Sequence, residues 1–229
     1  MNNFDLNNIK AVAFDIDGTL YRAWKLNFRM SLYFLPHCFF FLKYGLVRNI
    51  MRKTSAALPD FIETQAEYMG NKLHCPTSEA KAKLDKIVYK GLAKFFTKIK
   101  PCKGSVEFIK ELKKAGYKIG ILSDFPPEQK GDIWGIKDLC DVVLGTEDTG
   151  ALKPSVVPFE VLAEKLGVPA EQILFVGNSR KYDVAGSKKA GMKVAWILTP
   201  FQKFFGKKSD LADITFCHYK ELIRIFFNK

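Results

Sequence analysis

Outside residues 22–100 the chain repeats one pattern. A short, wholly apolar run ends in polar or acidic residues, a helical pattern follows, and a glycine stops it. The apolar runs lie at 11–16 (AVAFDI), 118–122, 141–144, 173–176 and 193–198, and helical patterns at 106–115, 158–166 and 184–190 end at Gly116, Gly167 and Gly191. The tail reads as a short strand at 214–216 and a helix over 219–227. Strands that are apolar throughout, instead of alternating, need cover on both faces, which is the condition of a parallel sheet between helical layers. Right-handed crossovers then leave few topologies. The pattern predicts an α/β protein with a doubly wound, Rossmann-like parallel sheet.

Residues 22–100 break the alternation. Apolar residues are dense there and mostly at helical spacing, with breaks around 57–60 and 74–77, so the segment reads as an inserted helical domain of three or four helices. The expected organisation is a core formed by 1–21 and 101–229 with an insertion at 22–100. Charge follows the same division: the insertion holds 15 Lys+Arg against 5 Asp+Glu, the remainder 21 against 19, and no acidic residue occurs between Tyr21 and Pro59. No apolar stretch reaches the roughly 18 residues of a membrane span, since the longest, 31–42, is interrupted by Pro36 and His37. The polar N-terminus carries no signal-peptide pattern. Five scattered cysteines without a CxxC pair read as reduced thiols, and the expected compartment is cytoplasmic.

In an open parallel sheet, ligands bind beyond the carboxyl ends of the strands. Asp15, Asp17, Gly18 and Thr19 follow the first strand, Ser123 and Asp124 the second, Lys153 and Pro154 the loop after the third, and Gly177, Asn178 and Asp183 the fourth. Carboxylates, a hydroxyl and a lysine thus converge on one edge. An Asp ending a buried strand is held rigidly, with one oxygen free to attack and the other able to bind a metal. A carboxylate attacks a phosphate dianion only when a cation offsets their repulsion, and Mg²⁺ suits oxygen ligands.

FDIDGTLY resembles the first motif of the haloacid dehalogenase superfamily, in its phosphatase branch, where an Asp stands two residues after the nucleophile. Ile121–Leu122–Ser123 resembles the second motif, Lys153 in ALKPS the third, and FVGNSRKYDVAGSKKAGM the fourth, in the same order. The insertion falls where this superfamily often places an all-helical cap. The resemblance implies that Asp15 forms an aspartyl-phosphate and binds Mg²⁺ through its other oxygen. It implies that Asp17 protonates the leaving group, activates water and lends its carbonyl to the metal. Thr19 would help hold the catalytic acids and the phosphate, Ser123 and Lys153 would bind phosphoryl oxygens, and Asp183 would complete the metal site. The sequence departs at Asn178, where the family usually has an acid, so Asn178 would ligate without charge and weaken Mg²⁺ binding. Asp124 reads chiefly as a capping or turn residue, with a supporting contact behind the site residues as the alternative, and Gly186 and Gly191 as close-packing and helix-stop positions.

The expected activity is therefore hydrolysis of a small phosphomonoester, the partner being a small phosphorylated metabolite. A phosphomutase on the same site is the alternative, then a phosphonate-cleaving enzyme, or a weakly catalytic membrane-surface or binding module. The aromatics of the insertion (Trp24, Phe28, Tyr33, Phe34, Phe39, Phe40, Phe41, Tyr44) are expected chiefly in the cap core. With Arg22, Lys25, Arg29, Lys43, Arg48, Arg52 and Lys53 they also admit a basic roof over the substrate, or weak contact with an anionic membrane. No specific nucleic-acid recognition is expected, because charge is its sole support. The oligomeric state is not legible.

Overall fold

A computed structural model describes residues 5–228 apart from 55 and 97. Six parallel strands form one sheet: β1 (Ala11–Phe14), β2 (Lys118–Ser123), β3 (Val142–Gly145), β4 (Ile173–Gly177), β5 (Lys193–Ile197) and β6 (Ile214–Phe216), in the order β3-β2-β1-β4-β5-β6. The winding reverses between β1 and β4, which leaves a crevice at their carboxyl ends. Successive β1 residues serve opposite faces. Val12 and Phe14 pack in one cluster with Phe108 and Leu112 of α5 (Ser105–Lys114) and Tyr219 and Leu222 of α9 (Tyr219–Phe227). Ala11 and Ala13 pack in the other with Phe159, Leu162 and Leu166 of α6 (Val157–Leu166). Two covered faces explain why the strands read as unbroken apolar runs. The first strand stops at Phe14, short of the expected position 16, although the Asp15 amide still donates to the Val176 carbonyl at 3.0 Å.

Between β1 and β2 lies the helical cap. It comprises α1 (Ala23–Met51), α2 (Phe61–Leu73), α3 (Thr77–Leu84) and, through a wide turn at Asp85–Tyr89, α4 (Lys90–Phe96). The expected breaks hold: Asp60 caps α2 by accepting from the Glu63 amide at 2.8 Å, and His74 ends it in a left-handed conformation. Core elements the sequence reading left out are α8 (Pro200–Phe204), set by a reciprocal cap between Thr199 and Gln202, and a wide turn at Arg180–Val184 leading into α7 (Ala185–Lys189).

Helix α1 corrects two expectations. Its 29 residues run through Pro36, and its length and apolarity are enough to cross a membrane, whereas the sequence reading held Pro36 and His37 to interrupt the stretch. Pro36 faces solvent, where the carbonyl it cannot bond is open to water. Of the eight aromatics expected chiefly in the cap core, Phe40 and Tyr44 are buried and Tyr33, Phe34 and Phe41 half-buried, but Trp24, Phe28 and Phe39 face outward.

Candidate active site

The seven sequence-derived site residues gather at the β1–β4 crevice in two hydrogen-bonded groups, one around Asp15 and one around Asp17. Asp15, at the end of β1, is buried; its Oδ1 accepts from Lys153 Nζ at 2.8 Å and its Oδ2 from Thr19 Oγ1 at 2.8 Å. Both of its oxygens are therefore engaged, where one was expected to be free. Lys153 Nζ also reaches Asp183 Oδ1 at 2.9 Å, and Asp183 Oδ2 accepts from the Asn178 and Ser179 amides at 3.1 and 2.8 Å. Thr19 Oγ1 lies 3.3 Å from Asn178 Oδ1. Two glycines permit this closeness. A Cβ on Gly177 would fall 2.3 Å from that of Asp183, and one on Gly18, whose φ is +92°, would fall 2.3 Å from Asn178 Nδ2.

Asp17 is held apart from Asp15's partners. Its Oδ1 accepts a hydrogen bond from the Tyr21 hydroxyl, and its Oδ2 lies 3.2 Å from both Ser123 Oγ and Lys130 Nζ. The buried Ser123 hydroxyl, expected on a phosphoryl oxygen, is thus directed at Asp17. Lys130, at the edge of β2's following turn, also sits 4.0 Å from the centre of the Phe96 ring of the cap.

From the cap, α1 sends two arginines inward. Arg48 donates to the Glu147 carboxylate, to Gln65 Oε1 at 3.2 Å and to the Asp124 carbonyl at 2.6 Å. Arg52 pairs with Asp124 Oδ2 at 2.7 Å and lies 4.2 Å over the Tyr182 ring. Tyr89 joins the clamp by donating to Glu147 Oε2 at 2.8 Å. These arginines therefore do not flank an outer surface, and Asp124 is a cavity-lining ion-pair partner, which corrects its reading as a capping or turn residue. A cavity of about 270 Å³ is lined by Asp15, Asp17, Arg48, Arg52, Lys153 and Asp183, with Asn178 and Tyr182 at its wall. A larger cleft, about 590 Å³, between α3, α4 and the turn at 126–129 carries none of the seven.

The electrostatics follow from burial. Asp15 is pushed up to about 7, chiefly because burial disfavours its charge; Asp183 and Asp17 add to this and Lys153 opposes it. Burial alone would depress Lys153, but the carboxylates of Asp15, Asp183 and Asp124 outweigh it and hold the ammonium well above its usual range. Burial likewise works against the Asp124 carboxylate, and Arg52, Lys153 and Arg48 together hold it below its ordinary value. Counted at ordinary charge, five carboxylates (Asp15, Asp17, Asp124, Glu147, Asp183) face four cations (Arg48, Arg52, Lys130, Lys153), so the pocket keeps room for positive charge.

The donors at the crevice are hard oxygens from Asp15, Asp183 and the Asn178 amide, a set that suits Mg²⁺ over softer metals. Among the described residues no three His, Cys, Asp or Glu side chains form a metal-holding group. Tyr21 was legible within FDIDGTLY. Lys130 and Glu147 carry no local sequence signal, because only the fold brings them against the lining residues Asp17 and Arg48. Arg48 and Arg52 were visible as an i, i+4 pair in an acid-free segment, but their direction was not.

The chain is similar to known proteins in sequence and in fold. The chain is 24% identical to the glyceraldehyde 3-phosphate phosphatase of Methanocaldococcus jannaschii, over 96% of this chain and 98% of that one. It is 25% identical to haloacetate dehalogenase H-2 of Moraxella sp., over 84% and 87%. Its fold matches the crystal structure of a HAD phosphatase from Thermococcus onnurineus with a TM-score of 0.63 at 24% identity, covering 96% of this chain and 99% of that one. Residues 9–191 match the family model for haloacid dehalogenase-like hydrolases, and the chain belongs to that family.

Proposed function

We propose that this protein is a cytoplasmic, Mg²⁺-dependent phosphohydrolase that removes phosphate from a small phosphomonoester through an aspartyl-phosphate on Asp15. The observation that carries the reading is the second acid: Asp17 stands two residues from Asp15, held by Tyr21, Ser123 and Lys130, and displacement of halide has no use for an acid there. Five free thiols suit a reducing compartment.

In this reading an Asp15 carboxylate oxygen attacks phosphorus and the bond to the leaving oxygen breaks, with Asp17 supplying the proton that oxygen takes up. Asp17 then takes a proton from water as it attacks phosphorus; the phosphorus–Asp15 bond breaks, leaving inorganic phosphate and the free carboxylate. Lys153, at 2.8 Å, offsets the charge on Asp15 and faces the phosphoryl oxygens, while Thr19 fixes the carboxylate's orientation. Mg²⁺, held by Asp15, Asn178, Asp183 and the Asp17 carbonyl, would supply charge neutralisation between carboxylate and phosphate. The cavity is at the small end for ligand sites, which favours a compact substrate.

The test is release of inorganic phosphate from a panel of small phosphomonoesters, with Mg²⁺ and with EDTA, using Asp15→Asn as the blank. Metal-dependent release that Asp17→Asn abolishes is expected. Halide release from 2-haloacids that survives Asp17→Asn, without phosphate release, would overturn the reading.

A further inference from the structure

The outward face of α1 has a chemistry the catalytic site does not use. Trp24, Phe28, Leu32, Leu35, Phe39 and Leu42 recur every three or four residues, and Phe28, Leu32 and Phe39 are each more than three-quarters exposed. Leu46 and Ile50 continue the stripe. At 1.5 Å per residue it runs about 40 Å along one side of the helix. Single exposed apolar residues are ordinary; an unbroken row of this length is not.

The opposite face is committed to the protein. Met30, Phe40, Tyr44, Val47 and Met51 are buried in the cap, and Arg48 is tied to Glu147 within the catalytic cavity. The helix is therefore long enough to cross a bilayer but is anchored along its length, and it can present its stripe only sideways.

Charge selects the occupant. Lys25 and Lys43 are 18 residues apart, five full turns, and so share one border of the stripe, with Arg29 beyond Lys25; none of the three pairs with a carboxylate among the described residues. A groove of about 420 Å³ at the stripe's start is floored by Trp24, Phe28 and Ile99 and rimmed by Lys25, Arg29 and Lys100, with no acid in its lining. A second cluster adjoins this end: Arg22 donates to the Leu198 carbonyl at 3.0 Å, and soon after Leu198 come Phe201, Phe204 and Phe205, all exposed, followed by Lys207 and Lys208. A second copy of this helix packed antiparallel would set basic border against basic border, and in either orientation no acid between residues 22 and 59 would pair with it. Anionic headgroups beside acyl chains match both the charge and the apolar row.

We propose that the outer face of α1, with the neighbouring exposed aromatics Phe201, Phe204 and Phe205 of α8 and its C-terminal end, docks the protein on an anionic lipid surface, α1 lying in the plane of the interface. The proposal does not depend on the hydrolytic reading. The test is co-sedimentation of the full chain with vesicles of phosphatidylcholine alone or of equimolar phosphatidylcholine and phosphatidylglycerol, read together with Trp fluorescence. Trp24 is exposed and Trp196 buried, so docking should shift emission to the blue. Binding to the anionic vesicles alone is expected, weakened by salt, reduced about tenfold by Lys25→Glu/Lys43→Glu and abolished by Leu35→Glu/Phe39→Glu. The outward position of these residues should leave the circular dichroism spectrum and any phosphatase activity in solution unchanged, and Asp15→Asn should bind as wild type does. A folded chain that fails to sediment with anionic vesicles overturns the proposal. So does a concentration-dependent dimer that Leu35→Glu/Phe39→Glu dissociates while vesicles capture nothing.

Discussion

Replacing the proposed nucleophile by its amide, Asp15→Asn, should stabilise the metal-free protein, and by an amount that depends on pH. The Asp15 carboxyl moves from 3.8 in an open chain to about 7 in the fold, with burial the largest cause. Between those values the native state holds a proton that the unfolded state has lost, so stability falls as pH rises, with a slope approaching about 1.4 kcal/mol per unit. Above pH 7 the accumulated penalty is about 4 kcal/mol; near pH 4 it is close to zero. Asparagine fills the same volume and carries no charge, and Lys153 keeps Asp183 as its partner at 2.9 Å. For a chain of this length each kcal/mol is worth roughly 2–4 °C, so in EDTA at about pH 8 the variant should melt on the order of 10 °C above wild type. The gap should narrow steadily toward pH 4. Thermal unfolding followed by circular dichroism across that range is the assay. A variant that melts below wild type at the alkaline end, or an offset that ignores pH, would show that burial of the charge is not what governs this site.

Asn178→Asp should lower the Mg²⁺ concentration needed for half-maximal phosphate release by roughly tenfold, because metal affinity follows ligand charge; an unchanged metal titration would remove Asn178 from the ligand set. Lys130→Met should cut kcat at least tenfold with little change in KM, since the ammonium, 3.2 Å from Asp17 Oδ2, positions the acid without lining the cavity; an unaltered kcat would dismiss that role. Arg48→Met should cost about 3–5 kcal/mol in urea unfolding by stranding the buried Glu147 carboxylate, and adding Glu147→Leu should recover much of it. Equal losses in the single and double variants would count against the ion pair as the cause. Gly18→Ala should abolish activity, because its Cβ would meet the Asn178 amide at 2.3 Å on a backbone at φ +92°; near-normal turnover would mean that Asn178 has no fixed place in catalysis.

The sheet was legible because each of its first five strands is an apolar run covered on both sides, and a run such as AVAF admits no other stable reading with helical patterns around it. The first acids were legible because residues just past a parallel strand can only lie at its carboxyl edge. Side-chain direction was the part that escaped. Arg48 and Lys43 stand five residues apart on one helix and were read as one basic group, yet one is buried against Glu147 and the other borders the outer stripe. Pro36 was read as an interruption because the sequence does not say which side of a helix meets water. Lys130 and Glu147 lie in loops with no periodicity, and their place against Asp17 and Arg48 depends on contacts across long stretches of chain.

The clamp between cap and core has a consequence for how tightly this cavity can hold anything. Arg48 and Arg52 already have carboxylate partners, so an incoming anion must take over from Glu147 or Asp124 instead of meeting bare cations. Its net affinity is then the difference between two similar ion pairs, a small number by construction. In the proposed hydrolysis, a pocket built on such an exchange would release inorganic phosphate readily, because the displaced carboxylates are waiting to return.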